Sequence, residues 1–441
     1  MAYNRPTPGR LDARQNSTNY DHPQETNLLN VHRAMTYDPY GAPVLRIDDT
    51  SKQHTSKNRV KVSNLSITTF NSYQYTKDPD VWDEAITGTA TSTLNTYYGM
   101  VEMMVNGAQG DQVIRQTRRV VRYIPGRQSE VSMSVIFGTP TTGIRRRFGL
   151  FDELNGAFFE DGGDGTYYVV CRRNTAAGVI EDRIARADWN VDRLDGTGPS
   201  GFTADPLAIQ LMVIEYEWYG AGQVEFKFII DNNAHSVHKF DHGNISLIPW
   251  ASTAFLPIRA ELTNVTGTAG SHTFFVGSTS VSSEGDIGPL GVESNAASPI
   301  TGRSLAAANT FYPVLSIRLK SDRLAGVVIP IDLQASTLDN TQIYYRLVLN
   351  PVLTGATWVS VGAASFVEYD SSATAQSNGT ILKTAFLGTY QQGQLVRLDP
   401  RVLVQLGRTG MGTASDILTV EIASTNANKA GFASLNWIEI R

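Results

Sequence analysis

Residues 145–284 alternate strand-like runs with turn-forming residues almost without a break. In residues 224–228 the apolar side chains at 224, 226 and 228 share one face while Glu225 and Lys227 take the other, which is the period-2 pattern of a half-buried strand. Asx residues follow at 231–233 and a second run returns at 237–240, which predicts a β-hairpin. Since helical periodicity is thin along the whole chain, we expect an all-β protein.

The composition agrees with this expectation. The chain has 441 residues, more than one hydrophobic core usually holds, with 41% apolar and only 18% charged residues. A net charge of −5 argues against a general nucleic-acid binder. The single cysteine, Cys171, excludes an intrachain disulfide and stands in a strand-like run, so we expect a buried small apolar side chain. With no signal-peptide core and no 18-residue apolar run, we expect no membrane insertion and folding in a cytoplasm.

Shifts in pattern along the chain predict four segments. Residues 1–60 are polar and interrupted by prolines, and they read as an extended N-terminal arm. Alternation begins near 61, and residues 61–284 are predicted to form a concanavalin-like β-sandwich. Residues 285–310, rich in Gly, Ser, Ala and Asn, are predicted to be a linker. Strand signals resume in residues 311–441, which predicts a second β-sandwich or jelly roll.

The arm has no core of its own, so an ordered arm needs another surface to lie against. We expect that surface to be a neighbouring subunit, which makes the protein a homo-oligomer. The predicted subunit-contact residues are Arg5, Arg10, Arg14, Tyr37 and Tyr40.

Two clusters invite a metal site. The loop at residues 160–165 is acidic, but an EF-hand needs a ligand at its third position, which here is Gly163, so we predict a hairpin turn. A lectin-type calcium site built from several loops stays open, with ligands from residues 152–155, 188–195 and 231–233. His235 and His238 would point to opposite faces of a strand, so hairpin and subunit-contact roles are favoured over zinc. We predict no metal and no cofactor.

Catalytic patterns are weak. Glu215 and Glu217 share one face of a predicted strand, and same-face neighbours lie about 7 Å apart, a separation that glycosidase carboxylates use. We favour a polar sheet surface balanced by arginines, and no nucleophile motif such as G-x-S-x-G is present. We therefore predict no catalytic residues and no enzyme, with a glycan-cleaving enzyme resting on these two glutamates as the alternative.

Arginines concentrate at residues 115–122 and 145–147. A groove for nucleic acid would need stacking aromatics and a supporting net charge. Guanidinium groups suit ion pairs at interfaces, so we expect these arginines to pair with acidic residues across sheets or subunits.

An ordered series of residues runs from 147 to 285, which is 139 of the 441 residues. It resembles a domain of virion structural proteins of tailed bacteriophages, notably cyanophages. The series comprises Arg147, Phe148, Gly149, Phe151, Asp152, Asn155, Gly156, Phe158, Phe159, Asp188, Trp189, Asn190, residues 194–201, Glu217, Trp218, Gly220, Gly222, His238, Phe240, His242, Asn244, Leu256, Pro257, Arg259, Glu261, Asn264, Ser283, Glu284 and Gly285.

The resemblance implies a particle component with a lectin-like sandwich, and it supplies no catalytic residues. We expect a structural protein of the tail or of the baseplate–fibre apparatus, located in the virion and bound to other virion proteins. One alternative is a head-decoration or capsid-associated protein. Another is a carbohydrate-binding receptor-recognition module that contacts a host surface glycan through Trp189, Trp218 and Tyr219.

Overall fold

The computed structural model describes residues 35–37, 43–45, 65–285, 291–388, 394–398 and 405–440. The chain divides into two compact units, residues 1–62 and 63–441. In the first unit, strands β1 (Met35–Tyr37) and β2 (Pro43–Leu45) form an antiparallel hairpin. The subunit contacts predicted for Arg5, Arg10, Arg14, Tyr40 and the Tyr37 side chain lie outside the described residues and stay predictions.

Fifteen strands, β3 to β17, form the first sandwich of the second unit. They are β3 (Leu65–Asn71), β4 (Trp82–Thr87), β5 (Thr91–Asn95), β6 (Met100–Val105), β7 (Gln112–Thr117), β8 (Ser129–Ile136), β9 (Ile144–Phe151), β10 (Gly156–Asp161), β11 (Tyr167–Thr175), β12 (Gly178–Ala185), β13 (Gln210–Tyr216), β14 (Val224–Ile230), β15 (Asn233–Phe240), β16 (Ile258–Asn264) and β17 (His272–Glu284). A 3-10 turn, Arg186–Asp188, follows β12.

These strands make two antiparallel sheets. Sheet A has seven strands in the order β12-β11-β10-β9-β16-β7-β4. Sheet B has eight strands in the order β15-β14-β13-β8-β17-β6-β5, and β3 also pairs with β17. The predicted hairpin is confirmed: β14 turns into β15 through Asp231 and Asn232, whose φ angles of 49° and 60° lie in the left-handed region that Asx residues tolerate.

The core of this sandwich lies between the two sheets. Alternation in β8 sends Val131, Met133 and Val135 inward and keeps the intervening serines outside the core. Across the core, the Phe159 and Phe226 rings pack edge to face with centroids 4.9 Å apart. Cys171 is fully buried in this core, as the sequence predicted, and burial raises the pKa of its thiol well above the usual value.

The second sandwich contains strands β18 to β32. They are β18 (Val292–Ala297), β19 (Arg303–Leu305), β20 (Tyr312–Leu319), β21 (Val327–Thr337), β22 (Ile343–Leu349), β23 (Val352–Thr354), β24 (Val359–Ser360), β25 (Val367–Asp370), β26 (Ala375–Ser377), β27 (Thr380–Leu387), β28 (Gln394–Arg397), β29 (Arg408–Thr409), β30 (Ala414–Ser415), β31 (Ile417–Ser424) and β32 (Lys429–Ile440).

Two further sheets enclose the second core. Sheet C has the order β18-β32-β21-β28, with β19 also on β32, and sheet D has the order β24-β25-β20-β31-β22-β27. The hairpins β23–β26 and β29–β30 complete this part. Strands β18 and β19 lie within the segment predicted as a linker, and both pair with β32. The core includes Leu315, Val420 and Trp437.

The all-β prediction is confirmed for the described residues, which form antiparallel sheets in sandwich arrangement. The part of the chain described here contains no helix long and apolar enough to cross a membrane. Several of the clustered arginines pair with acidic residues as predicted, mostly on neighbouring strands of the same sheet, and Arg118 also contacts Asp416 of the second sandwich at 3.5 Å. Arg119 and Arg122 donate hydrogen bonds to Gln405. Arg146 contacts Asp161 at 2.5 Å and Arg118 contacts Asp83 at 3.0 Å.

Candidate functional site

The outer face of sheet A carries a layer of ion pairs. Strand register places Arg147 between Glu160 on β10 and Glu261 on β16. The Arg147 guanidinium lies 2.5 Å from the Glu160 carboxylate and 3.7 Å from that of Glu261. Arg183 holds the other Glu160 oxygen at 2.6 Å, and Arg259 holds Glu261 at 2.7 Å. The opposite charges on this face therefore compensate one another.

Aromatic rings lie beneath these arginines. The Arg147 and Arg172 guanidinium carbons stand 5.2 and 4.9 Å from the centre of the Phe158 ring. Phe158 is fully buried, and Glu160 is only 1% exposed. Any ligand on this face would have to displace existing ion pairs, so we regard the outer face of sheet A as a structural layer.

Glu215 and Glu217 are both buried. The ammonium group of Lys227 on β14 lies 2.7 Å from the Glu215 carboxylate, and the Gln128 amide donates to the same carboxylate. Lys227 also contacts Glu225 at 3.2 Å. Burial lowers the pKa of Lys227, but the two carboxylates outweigh it and the net direction is upward. The favoured interpretation, a polar sheet surface with balanced charge, fits this geometry, with a lysine in place of the expected arginines.

The three residues predicted to contact a glycan do not form one platform. Trp189 is 5% exposed in the core, its ring 6.3 Å from Phe228, because the chain turns inward after the 3-10 turn. Its indole faces are covered, so the expectation that a sugar stacks on Trp189 has to be corrected. Trp218 is half-buried and donates to the Ala251 carbonyl at 3.0 Å. Only Tyr219 is well exposed, at 49%.

The residues that were considered for a metal site and that the structure describes make turns and local contacts. The loop at 160–165 is a hairpin turn between β10 and β11, as predicted, with Gly163 and Gly165 at φ of 73° and 83°. His238 accepts a hydrogen bond from the Asn190 N–H at 3.2 Å, and burial lowers its pKa to about 4. His242 stacks on Trp250 with ring centres 6.2 Å apart. Within the described ranges, no three His, Cys, Asp or Glu side chains are grouped to hold a metal ion.

An exposed group of aromatic rings lies on the outer side of sheet B, and we call it the aromatic patch. It consists of Phe70 on β3 and of Tyr97 and Tyr98 in the turn before β6, which are 74%, 97% and 61% exposed. Exposed apolar area of this kind is uncommon on a soluble protein unless the area binds something.

Strand pairing brings the patch together. Strands β3 and β6 lie end to end along one edge of β17, since Phe70 pairs with Ser280 and Val101 pairs with Val276. The turn before β6 therefore meets the end of β3. The Tyr98 ring packs edge to face on Phe275 of β17, with ring centres 5.4 Å apart and an interplanar angle of 72°.

Serine hydroxyl groups border the aromatic patch on the same face. Ser132 and Ser134 on β8 alternate with core residues, and Ser278 and Ser280 stand beside them on β17. The Ser134 hydroxyl donates to the Ser278 carbonyl at 3.3 Å, and its oxygen can still accept. The patch thus combines ring faces with hydroxyl groups.

Sequence reasoning missed this patch. The pair Tyr97-Tyr98 stands between Asn95 and Gly99, a turn signal that would place both rings at the surface. Its junction with Phe70 and Phe275 depends on pairings between distant strands, which no local pattern reveals.

No protein-family model matches the chain, and no curated protein matches it. Solved structures with similar folds include a legume lectin-like domain from Entamoeba histolytica, 12% identical, covering 49% of this chain and 97% of that chain at a TM-score of 0.30. A glycosyl hydrolase family protein from Mycobacterium fortuitum is 11% identical and covers 49% and 99% at 0.33. The CBM2 module of the evolved Dit of Lactobacillus casei BL23 phage J-1 is 8% identical and covers 51% and 99% at 0.34.

These similarities concern the fold of about half the chain, and the neighbours include a legume lectin-like domain and the carbohydrate recognition domain of Emp47p. They correct one expectation. The prediction that the chain is no enzyme is contradicted, because the neighbours also include glycosyl hydrolases and the Crh5 transglycosylase.

Proposed function

We propose that this protein binds carbohydrate through the aromatic patch of its lectin-like sandwich. The observation that carries the proposal is the exposed group of Phe70, Tyr97 and Tyr98 beside the serine hydroxyls of sheet B.

The physical argument is one of complementarity. A sugar ring has an apolar face of C–H groups and an edge of hydroxyl groups. Aromatic rings match the first, and tyrosine and serine hydroxyls match the second. On sheet A the polar groups already bind one another, whereas on the aromatic patch the rings face solvent. The patch is therefore the better site for a neutral glycan.

A glycan array probed with the full chain, followed by calorimetry on the best ligand, tests the proposal. We expect Tyr98→Ala to weaken binding about 3- to 10-fold, since an aromatic contact contributes about 0.5–1.5 kcal/mol. Tyr219→Ala is the matched control, because it removes an exposed turn tyrosine outside the patch.

Three results would bear on the assignment. Loss of binding in the Tyr219 variant alone would move the site to the loop predicted from sequence. The absence of any bound glycan would refute the proposal. A rise in the concentration of reducing ends in the same samples would show that the bound glycan is also cleaved.

We also propose that the glycan-binding sandwich acts on a phage particle, in the tail or baseplate–fibre apparatus or on the head. The support is the residue series from 147 to 285 that resembles virion structural proteins. Members of the series such as Asn155 and Asn264 are buried and accept hydrogen bonds from the backbone of turns. The resemblance therefore concerns residues that hold the framework, and it does not identify residues that bind a ligand. Deleting residues 1–60 should leave a folded protein that no longer enters particles, and normal incorporation would refute the role of the arm.

A further inference from the structure

A cavity of about 510 Å³ lies at the junction of the two sandwiches. Its walls come from the end of β7 in the first sandwich and from β20, β25 and the β29–β30 hairpin in the second. This volume falls within the range of sites that hold small molecules.

Two guanidinium groups, from Arg118 and Arg318, and one carboxylate, from Glu368, line the cavity. The Arg318 Nε donates to Glu368 at 2.6 Å, and its guanidinium carbon lies 4.1 Å from the centre of the Trp358 ring. Contact with Glu368 and stacking on Trp358 fix the plane of this guanidinium. Within the described ranges, the two Nη atoms of Arg318 have no hydrogen-bond partner, so four N–H groups remain to bind a ligand.

The opposite wall is also held in place. Arg118 donates from Nε to Asp83 at 3.0 Å, and its Nη1 lies 3.5 Å from Asp416. These two contacts orient the Arg118 guanidinium from the first sandwich toward a cavity built largely by the second. Two cationic groups and one anionic group line the cavity, while Asp83 and Asp416, which pair with Arg118, do not line it.

The other residues that line the cavity suit a ligand whose surface has both hydroxyl groups and C–H groups. Ser321 and Thr409 contribute hydroxyl groups, and Leu324 and Pro351 contribute apolar surface. A bare phosphate or sulfate ion would leave most of the volume empty. A pyranose ring that carries a carboxylate fills more of it and matches each group.

We propose that this cavity binds an acidic saccharide, with its carboxylate held by the Nη groups of Arg318 and attracted by Arg118. Two N–H donors in a fork match the two oxygens of a carboxylate. The site is separate from the aromatic patch and would add a second sugar-binding position in the same unit of the chain.

Calorimetry on the full chain with glucuronate, glucose and inorganic phosphate tests this proposal. We expect glucuronate to bind, glucose to bind at least tenfold more weakly, and Arg318→Gln to reduce glucuronate affinity about 10- to 100-fold, the range of charge-assisted hydrogen bonds. Arg323→Gln is the matched control: it removes a nearby cation that pairs with Asp322 and does not line the cavity. Tyr98→Ala should leave glucuronate binding unchanged, which separates this site from the aromatic patch.

Several outcomes would overturn the proposal. They are no glucuronate binding, equal losses in the Arg318 and Arg323 variants, or phosphate binding as tight as glucuronate binding, which would indicate a simple anion site. If Arg318→Gln does not fold, Arg318→Lys keeps the charge but loses the fork. Unchanged glucuronate affinity in that variant would contradict the assigned geometry.

Discussion

Replacing Glu421 by glutamine should stabilise this protein at alkaline pH. Glu421 lies on β31, where Val420 and Ile422 point into the core, so Glu421 points to the other face of sheet D. Both carboxylate oxygens are buried, and neither has a hydrogen-bond partner among the residues that the structure describes. Arg346, its register partner on β22, is the nearby charge, but the Arg346 guanidinium stacks on Phe311 at 3.5 Å.

The magnitude follows from the pKa of Glu421. Burial raises this pKa from 4.5 to about 7, and Arg346 opposes the change only in part. The folded protein therefore holds the proton more tightly than the unfolded chain, and stability is lost as the pH rises through 7. The difference of about 2.5 between the two pKa values corresponds to about 3 kcal/mol at most. Because solvent partly screens the charge, we expect Glu421→Gln to raise the free energy of unfolding by about 2 kcal/mol at pH 8 and by about 0.5 kcal/mol at pH 5.

Urea unfolding of the native protein and of Glu421→Gln at pH 5 and pH 8 measures this difference. The control is Glu439→Gln in the same sandwich. The Glu439 carboxylate accepts hydrogen bonds from Ser365 Oγ at 2.5 Å, the Phe366 N–H at 2.9 Å and Trp437 Nε1 at 3.0 Å. Glutamine there would turn an NH₂ group toward a donor, so we expect a loss of about 1–3 kcal/mol.

The reasoning would be refuted if Glu421→Gln destabilises the protein at pH 8. It would also fail if the gain is the same at both pH values, because ionisation would then not be the cause. A glutamine variant of Glu439 that behaves like the Glu421 variant would show that hydrogen bonding does not separate the two sites.

Two further predictions concern the first sandwich. Arg146 and Asp161 form a fully buried ion pair at 2.5 Å, so we expect Arg146→Met to lower the free energy of unfolding in denaturant by about 3–5 kcal/mol. Adding Asp161→Leu to this variant should restore part of the lost stability. If the double variant recovers nothing, an unpaired buried charge is not the cause of the loss. Burial lowers the pKa of His238 to about 4, so the free energy of unfolding should fall by about 2 kcal/mol as the pH drops from 6.5 to 4. In His238→Gln, the thermal unfolding temperature should change less with pH over the same interval. An equal fall in this variant would show that other groups cause the pH dependence.

Local patterns predicted much of the fold. The alternation of apolar and polar residues identified β8 and β14, because successive side chains in a strand point to opposite faces. The Asx residues at 231–233 identified the turn after β14, because these residues tolerate a left-handed backbone. The same reasoning failed for Trp189. A tryptophan beside Asp188 and Asn190 resembles an exposed loop residue, and only the packing of the two sheets shows its ring in the core.

The candidate sites depended on contacts that the sequence does not encode locally. The aromatic patch joins Phe70 and Tyr98 to Phe275, about 200 residues farther along the chain, through pairings of β3 and β6 with β17. The cavity joins Arg118 to Arg318 from two different sandwiches.

From the sequence alone, this chain is a β protein with strands and turns in a readable order, since those features arise from neighbouring residues. The tertiary structure decided which polar and aromatic groups are covered and which face solvent. That distinction depends on which sheets are stacked and which strands lie side by side, and it separates the compensated ion pairs of sheet A from the open rings of sheet B.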